Sequence, residues 1–346
     1  MLDKCLLILS LLTTVHSVLS ATEAVLQLQV TKKTVIRKQD SSTVMGLAVV
    51  PEKGLVLWAQ DLTKSPPGQA IEFYSNDGHL IKQIGEVGRG PGKYSVLQGF
   101  TIDSNNLIWA DDAGQARISK FGLDGSLAGS DLIMNPTFSV QSVLLKPAYG
   151  RKYLAGCRTK DGMGNSECIG LVHEYDLQNG KFLRSFIDTT GDKQQIERQH
   201  ARLQLVTLDS ETQSSLFVSD RIARGFWIVD LRSGTSKFIT IDMLPLLPDM
   251  HEVVAARKAW DTLPTISHIF QIEGDVYVGI RTPSAKSLST QVHKFTSKGK
   301  YLAKTNTTPG TLVGKTLDGK LLFTQKGSTG VTIFEMSLPV GRERGL

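Results

Sequence analysis

The chain has 346 residues, of which 40% are hydrophobic and 21% are charged, and it contains 32 glycines. This composition is typical of a folded globular protein, and it excludes a collagen, a coiled coil and a low-complexity tail. The 39 basic and 33 acidic residues leave a formal net charge of +6. The chain contains no run of five or more lysines or arginines, so the sequence gives no indication of nucleic-acid binding.

Residues 1–20 have the pattern of a secretory signal peptide. A short segment with Lys4 precedes an almost uncharged run from Cys5 to Leu19, and compact residues stand before Ala21, where signal peptidase would cut. The apolar run, of about 15 residues, is shorter than the roughly 20 that span a bilayer, which favours cleavage over a membrane anchor. We therefore predict a secreted or periplasmic protein with no transmembrane segment after signal cleavage. Attraction to an anionic cell surface stays open.

An internal repeat is the strongest signal in the chain. Six segments share a pattern in which strand-forming residues lead to a large apolar position, a small residue and a polar end. These segments are residues 55–61, 107–112, 153–158, 216–221, 276–281 and 321–326. Their aligned apolar positions recur at intervals of 45 to 63 residues, which suits four-stranded propeller blades better than a pair of β-sandwich domains.

A turn glycine recurs after the repeated segment in five of the six units. Each glycine follows an aromatic or β-branched strand residue by four or five positions, in a context that favours a tight hairpin with positive φ. The pairs are Tyr74 with Gly78, Phe121 with Gly125, Tyr175 with Gly180, Val229 with Gly234, and Phe295 with Gly299.

The two ends of the chain have complementary strand patterns. The sixth unit continues to residues 331–336 but has no room for a further strand, whereas residues 24–30 alternate apolar and polar side chains ahead of the first unit. Pairing of these ends would remove both open edges. The sequence thus predicts an all-β, six-bladed β-propeller with terminal strand closure, in which the N-terminal strand completes the last blade. Residues 21–340 would form this single domain, and residues 341–346 a C-terminal tail.

Two cysteines, Cys157 and Cys168, remain after removal of a signal peptide that contains Cys5. They lie on two predicted strands around the polar loop 159–165, so an oxidising compartment predicts a disulfide between them. A catalytic or metal-binding thiol is the weaker alternative, because no CxxC spacing or cysteine–histidine cluster accompanies them.

Two inserts, at residues 188–202 and 242–263, lengthen the repeat around the fourth blade. In the second insert, Asp249 is a candidate N-cap and good helix formers continue to Trp260, which predicts a short helix. Such inserts on a propeller either shape the binding face or pack as decoration.

One repeat resembles a known family. Residues 84–94 (Ile-Gly-Glu-Val-Gly-Arg-Gly-Pro-Gly-Lys-Tyr), followed by 99–103, 106–111 and 116–121, resemble a full NHL-type repeat. The glycine-rich stretch is similar to that of exported bacterial six-bladed propellers of uncharacterised function. The resemblance implies a propeller and export, and it implies no particular activity.

The same glycine-rich stretch has some features of a phosphate-binding loop, since Lys93 follows closely spaced glycines. The spacing does not fit, because Tyr94 stands where that motif needs serine or threonine and Pro91 lies within the loop. We therefore predict a rigid glycine-proline connection between blades one and two.

Metal binding is left open by the histidines. Some NHL-type propellers are amidating lyases with histidine-bound zinc, and other six-bladed propellers are calcium-dependent lactonases. The histidines here form no HxH or HxxxH pair, although His173 and His293 occupy matching places in blades three and five, which a solvated strand face also explains. Sites assembled from separate blades leave no local signature, so no metal ligand is assigned, and the cofactor is unknown, with calcium and zinc open.

The polar ends of the six repeated segments are the candidate ligand-binding positions. They should emerge on one face of the ring, acidic on blades one and two and basic on blades three to six. These rim candidates are Asp61, Asp112, Arg158, Arg221, Arg281 and Lys326. A dipolar or anionic ligand would suit them, with Trp58 or Trp109 nearby for stacking. The alternatives are solvated loop starts for the charged residues and core packing for the tryptophans.

The functional prediction is an exported, monomeric propeller that binds a small molecule, a glycan or a protein partner on one face of the ring. The alternative is an exported hydrolase or lyase with its active site at the mouth of the central channel, whose catalytic residues the sequence does not identify. A subunit of a cell-envelope assembly is a third possibility, which a large exposed apolar patch would favour.

Overall fold

The structure is a computed structural model that describes most of the chain between residues 25 and 338. The described residues are 25–36, 43–61, 68–129, 131–133, 142–155, 170–188, 206–209, 212, 214–220, 224–244, 262–283, 288–327 and 330–338. The predicted signal peptide, the C-terminal tail, Cys157, Cys168 and the helix predicted from Asp249 to Trp260 lie outside these residues. No helix within them is long and apolar enough to cross a membrane.

The described chain is almost entirely β-structure. From the N-terminus to the end of the second sheet, the strands are β1 (Val25–Leu26), β2 (Gln29–Ile36), β3 (Thr43–Val50), β4 (Gly54–Asp61), β5 (Gly68–Tyr74), β6 (Leu80–Ile84), β7 (Glu86–Val87), β8 (Lys93–Tyr94), β9 (Leu97–Ile102), β10 (Ile108–Asp112), β11 (Arg117–Phe121) and β12 (Leu132–Ile133). Two single 3₁₀ turns, Ala113–Gln115 and Pro147–Tyr149, interrupt the pattern.

The remaining strands continue the same pattern. They are β13 (Ser142–Lys146), β14 (Arg151–Ala155), β15 (Val172–Asp176), β16 (Phe182–Phe186), β17 (Val206–Asp209), β18 (Ser215–Asp220), β19 (Gly225–Asp230), β20 (Ser236–Thr240), β21 (Thr265–Ile272), β22 (Asp275–Pro283), β23 (Leu288–Phe295), β24 (Tyr301–Thr305), β25 (Thr308–Pro309), β26 (Thr311–Lys315), β27 (Leu321–Gly327) and β28 (Gly330–Ser337).

Six antiparallel sheets form the blades. Strands β3 to β6 form blade one, β9 to β12 blade two, β13 to β16 blade three, β17 to β20 blade four, β21 to β24 blade five, and β26 to β28 with β2 blade six. The first strands, β3, β9, β13, β17, β21 and β26, contact one another in that order, and β26 also contacts β3. These first strands are therefore the inner strands of the ring, and the fourth strands are the outer ones.

The repeat predicted from the sequence is confirmed in every blade. The six repeated segments correspond to the second strands β4, β10, β14, β18, β22 and β27. The five turn glycines lie between third and fourth strands with φ from 70° to 83°, as expected for these hairpins. The hydrophobic core consists mainly of clusters between neighbouring blades, such as Val56 and Ile71 of blade one against Ile108 and Phe121 of blade two.

The N-terminal region supplies the fourth strand of blade six, but with a different boundary from the predicted one. The strand is Gln29–Ile36, which pairs antiparallel with β28, rather than residues 24–30. Residues Val25–Leu26 instead pair in parallel with β24, the outer strand of blade five. Leu26 and Leu28 pack on the cluster shared by blades five and six, so the apolar alternation of this segment reflects burial across two blades.

The two faces of the ring differ in their connections. The turns between first and second strands and between third and fourth strands lie on one face, which we call the short-turn face. The longest connection between strands on this face is residues 122–131. The opposite, loop-rich face has the ends of the second strands. The strand ends on that face are joined by the connections 85–96, 156–171, 187–205 and 241–264, which include both predicted inserts.

Candidate functional site

The predicted rim residues that the structure describes all lie at the loop-rich face, but in different environments. Asp61 and Asp112 are buried at the ends of β4 and β10, with 7% and 1% of their surface exposed. Arg281 is half-buried near the end of β22, and Lys326 is exposed near the end of β27. The other two, Arg158 and Arg221, lie outside the described residues.

The Asp112 carboxylate is used to position the chain that enters blade two. Its Oδ1 accepts hydrogen bonds from the backbone N of Val96 (2.9 Å) and from Oγ of Ser95 (3.2 Å). Its Oδ2 accepts from the backbone N of Ser95 (3.1 Å) and from Nε2 of Gln115 (2.6 Å), and the Nε of Arg117 is 3.8 Å away. A buried carboxylate requires such donors, so both oxygens of Asp112 are occupied within the protein.

Gln69 holds the same segment from the side of blade one. Its Nε2 donates to the carbonyl of Ser95 (2.8 Å), and its Oε1 accepts from the backbone N of Leu97 (2.8 Å). The side chain is buried, so these two bonds satisfy both ends of its amide. Together Gln69 and Asp112 fix the loop between blades one and two on the loop-rich face.

Arg117 holds the glycine-rich stretch, residues 85–94, against blade two. Its Nη2 donates to the backbone carbonyls of Gly90 and Lys93, and its Nη1 donates to Oδ2 of Asp131 at 2.7 Å. Only 8% of the Arg117 side chain is exposed, so this cation is committed to the loop. These contacts support the interpretation of a rigid connection, because two carbonyls of the loop are bound by a buried cation of blade two.

Tyr94 anchors the end of this stretch in the interface between blades one and two. Its hydroxyl donates to the carbonyl of Ile84 (3.3 Å) and accepts from the backbone N of Ile71 (3.2 Å), and burial raises the pKa of Tyr94. Gly85 packs against the ring, with φ of 68°, and a Cβ there would lie 2.8 Å from Cε1 of Tyr94. Only glycine fits this position without a shift of the ring.

The two tryptophans pack between blades. Trp58 is half-buried against the cluster between blades one and two, and Trp109 against the cluster between blades two and three. Nε1 of Trp109 donates to Oδ2 of Asp103 at 2.8 Å, and Nζ of Lys120 lies 4.2 Å from its ring. The packing alternative raised from the sequence therefore describes both side chains.

A charged pair bridges the inner strands at the short-turn face. Nζ of Lys315, at the end of β26, lies 2.8 Å from Oδ2 of Asp209, at the end of β17. The backbone N of Gln271 in β21 also donates to that oxygen at 2.8 Å, and Lys315 donates to the carbonyl of Gln271. Blades four, five and six are thus tied together at this end of the channel.

A second buried pair joins blades two and three. Nζ of Lys152 in β14 lies 2.7 Å from Oδ1 of Asp111 in β10, and the side chains are only 3% and 2% exposed. Burial raises the pKa of Asp111 above its ordinary value, while the Lys152 ammonium opposes this shift. Because both side chains are almost inaccessible to solvent, this pair is part of the interface between blades two and three.

The matching histidines are held within their own blades. His173 is fully buried, with Nδ1 2.8 Å from Oγ of Ser185, and His293 is 2% exposed, with Nε2 3.0 Å from Oε1 of Gln291. They do not lie on a solvated strand face. Across the described ranges, no group of three or more histidine, cysteine, aspartate or glutamate side chains could hold a metal ion.

Comparison with known proteins supports the propeller. The DUF5128 family model, described as a 6-bladed beta-propeller, matches residues 69–141. A DUF4221 family member from Bacteroides vulgatus has a TM-score of 0.59 at 10% identity, covering 91% of this chain and 99% of that chain. A Bacteroides fragilis protein described as exported has a TM-score of 0.56 at 14% identity, covering 92% and 96%. A gluconolactonase from Xanthomonas campestris has a TM-score of 0.51 at 15% identity, covering 93% of each chain.

These similarities establish the fold alone, because the sequence identities are low. A search of curated proteins finds no match by sequence. The family match covers the repeat that resembles the NHL type, so the predicted resemblance to six-bladed bacterial propellers is confirmed.

Proposed function

We propose that this protein is an exported propeller that binds a ligand or a protein partner on its loop-rich face. The observation that carries the proposal is the unequal length of the connections, since all the long ones join strand ends on that face. Binding residues concentrate on loops that a rigid scaffold positions, and short hairpin turns offer little surface for recognition. Export rests on the signal-peptide pattern and on the similarity to a protein described as exported.

Two features of the described residues support this choice of face. The loop between blades one and two is fixed by Gln69, Asp112 and Arg117, which provides a rigid border for a binding site. At the other face, the charged groups of Lys315 and Asp209 are bound to each other and to the backbone of Gln271, so they are engaged within the protein.

The charges at this face favour an anionic or dipolar ligand. Arg281 and Lys326 place two cations at strand ends of blades five and six, whereas the carboxylates of Asp61 and Asp112 are buried. Arginine and lysine bind carboxylates by charge-assisted hydrogen bonds.

A thermal-shift screen tests the proposal. The probes are galacturonic acid, gluconic acid, single amino acids and dipeptides, each in excess. A ligand at about 100 times its Kd stabilises by about 2.7 kcal/mol, which raises the Tm of a chain of this length by about 4 °C. Lys326→Glu or Arg281→Gln should reduce the shift, and the control Lys53→Glu on the short-turn face should preserve it. If only Lys53→Glu reduces the Tm shift that a ligand produces, the choice of face is refuted.

If no small probe binds, a photocrosslinking amino acid at each face tests for a protein partner. Placed at Lys326, the crosslinker should capture a component of a cell-envelope extract, and placed at Lys53 it should not. Capture only at Lys53, or equally at both positions, would contradict the proposal.

The alternative function is an exported hydrolase or lyase at the mouth of the same channel. The gluconolactonase among the similar structures gives a first substrate to test, glucono-δ-lactone, with calcium and with a chelator. Calcium-dependent turnover above the spontaneous rate would favour the enzyme over the binding protein.

A further inference from the structure

The outer strands of the propeller have a composition unlike the rest of the chain. Strands β2, β6, β12, β16, β20 and β24 contain no aspartate or glutamate, although the chain has 33 acidic residues. The same strands contain five lysines and one arginine. These cations are Lys32, Lys33, Lys82, Arg184, Lys237 and Lys304. The charged residues of the outer strands are therefore all of one sign.

Three of these cations are exposed and have no hydrogen bond or ion pair with the described residues. Lys237 lies on blade four and Lys82 on blade one, where Asp124 is its acidic neighbour. Lys33 lies on blade six, with Nζ 5.9 Å from the ring centre of Phe334. By contrast, the Arg184 guanidinium is paired with a glutamate. Exposed lysines thus lie on the outer strands of three different blades.

Large apolar side chains are exposed beside these cations. Their exposed fractions are 56% for Leu80, 53% for Ile81, 44% for Val35, 40% for Leu183, 40% for Phe238 and 37% for Leu302. Each lies on an outer strand within two residues of a lysine or arginine. The perimeter therefore offers apolar surface and positive charge in the same places.

Protection of sheet edges explains only part of this pattern. Lysines on edge strands prevent pairing between molecules, so edge protection accounts for the positive sign of these charges. It does not account for the large apolar side chains exposed beside them, which favour pairing at an edge. The pattern is better explained by a partner that is anionic and has apolar surface of its own.

We propose that the perimeter binds an acidic polysaccharide. The cations face different directions around the ring, so a flat bilayer could contact only some of them, whereas a flexible linear polyanion can follow the curvature. Carboxylates of the polymer would pair with the ammonium groups, and the C–H faces of its sugar rings would pack on Leu80, Ile81 and Phe238. Nucleic acid would favour aromatic stacking platforms, and Phe238 is the one aromatic residue among these exposed side chains.

Binding of labelled polygalacturonate, measured by fluorescence anisotropy at several salt concentrations, tests this surface. The triple variant Lys33→Gln, Lys82→Gln and Lys237→Gln should bind about 100-fold more weakly, taking about 1 kcal/mol for each lysine at an anionic surface. Its affinity should also depend less steeply on salt, because fewer counterions are released. Circular dichroism should give an unchanged spectrum and Tm.

A matched control removes the same charge elsewhere. The triple variant Lys53→Gln, Arg232→Gln and Lys298→Gln changes exposed residues in short turns, outside every outer strand. It should retain affinity within about threefold, since contact with the polymer and not net charge is the cause. Equal losses in the two triple variants would overturn the proposal, because binding would then follow net charge alone.

Polymer length and chemistry provide the second test. Affinity should increase from short oligogalacturonates to chains long enough to reach more than one blade, because the exposed lysines lie on separate blades. Three results would each refute the polysaccharide proposal. The affinity could be independent of polymer length, or polygalacturonate could fail to bind at low salt. The protein could also bind anionic lipid vesicles or oligodeoxythymidylate more tightly than polygalacturonate. The loop-rich face is unchanged in these variants. A negative result would therefore refute only the perimeter site, and the thermal-shift screen would still test the proposed function.

Discussion

The buried pair of Lys152 and Asp111 gives the sharpest test of how the blades are held together. Replacing Lys152 by methionine keeps most of the side-chain volume but leaves a carboxylate that is 2% exposed without its partner at 2.7 Å. Breaking a buried pair in this way costs about 3 to 5 kcal/mol. With an unfolding entropy of about 2 cal/mol/K per residue, the Tm of Lys152→Met should fall by about 4 to 8 °C.

The loss should depend on pH. Burial already raises the folded-state pKa of Asp111, so the folded protein holds this proton more tightly than the unfolded chain does. Such a group penalises folding increasingly as the pH rises above the ordinary carboxyl range, and the penalty is relieved as the pH falls. Without the ammonium the pKa rises further, so Lys152→Met should lose more stability at about pH 7 than at about pH 5.

Urea unfolding of four proteins, the wild type, the two single variants and the double variant, separates the pair from its burial cost. Asp111→Leu combined with Lys152→Met should recover to within about 2 kcal/mol of the wild type, because two apolar side chains need no partner. A loss below about 1 kcal/mol in Lys152→Met, with the same value at both pH values, would refute the assignment of this pair as a buried, mutually dependent contact.

Three further predictions concern the loop between blades one and two and the inner strands. Gly85→Ala should cost about 1 to 3 kcal/mol more than Gly150→Ala in urea unfolding, because both have φ near 60° to 70° but only the first meets a side chain. Gln69→Leu should cost about 2 to 4 kcal/mol in urea unfolding, because it leaves the Ser95 carbonyl and the Leu97 N–H without their partner; a loss below about 1 kcal/mol would contradict the two hydrogen bonds. Lys315→Met should lower the Tm by several degrees, and adding Asp209→Leu should restore part of it, whereas additive losses would count against the pair.

The sequence predicts what is encoded locally in each blade. The apolar column at Trp58 and its equivalents, followed by a small residue, is a period-two strand signal, and glycines such as Gly78 supply the positive φ of a hairpin turn. These signals identify the second strands, the third strands and the number of blades. They depend on residues within about five positions of one another.

The contacts that were not predicted join residues far apart in the chain. Lys315 and Asp209 are separated by 106 positions, and Gln69 and Leu97 by 28, so no periodicity marks them. The N-terminal boundary was misplaced for a related reason. Residues 24–30 and Gln29–Ile36 are both consistent with a strand, and only pairing with blades five and six distinguishes them.

The sequence does not show which of the candidate rim residues are buried. Sequence position alone places Asp61, Asp112, Arg281 and Lys326 on the same face, which the structure also does. It does not reveal that Asp112 accepts three hydrogen bonds from the loop that enters blade two and a fourth from Gln115. Polar strand ends therefore identify a face, and burial decides which of them can meet a ligand.

The two proposed surfaces should act independently, because one lies on the outer strands and the other at the ends of the second strands. Cysteine substitutions at Phe238 and at Lys326 allow each surface to be followed by its rate of maleimide labelling, with peptide mapping to separate the labelled site from Cys157 and Cys168. Saturating polygalacturonate should slow the labelling at Phe238 by about tenfold, which corresponds to about 1.4 kcal/mol of protection, and leave the rate at Lys326 unchanged. Equal protection at both positions would mean that the polymer covers the loop-rich face as well, and the perimeter would then not be a separate surface. If only the position of Lys326 were protected, the polyanion would bind at the loop-rich face, near Arg281, and not at the perimeter.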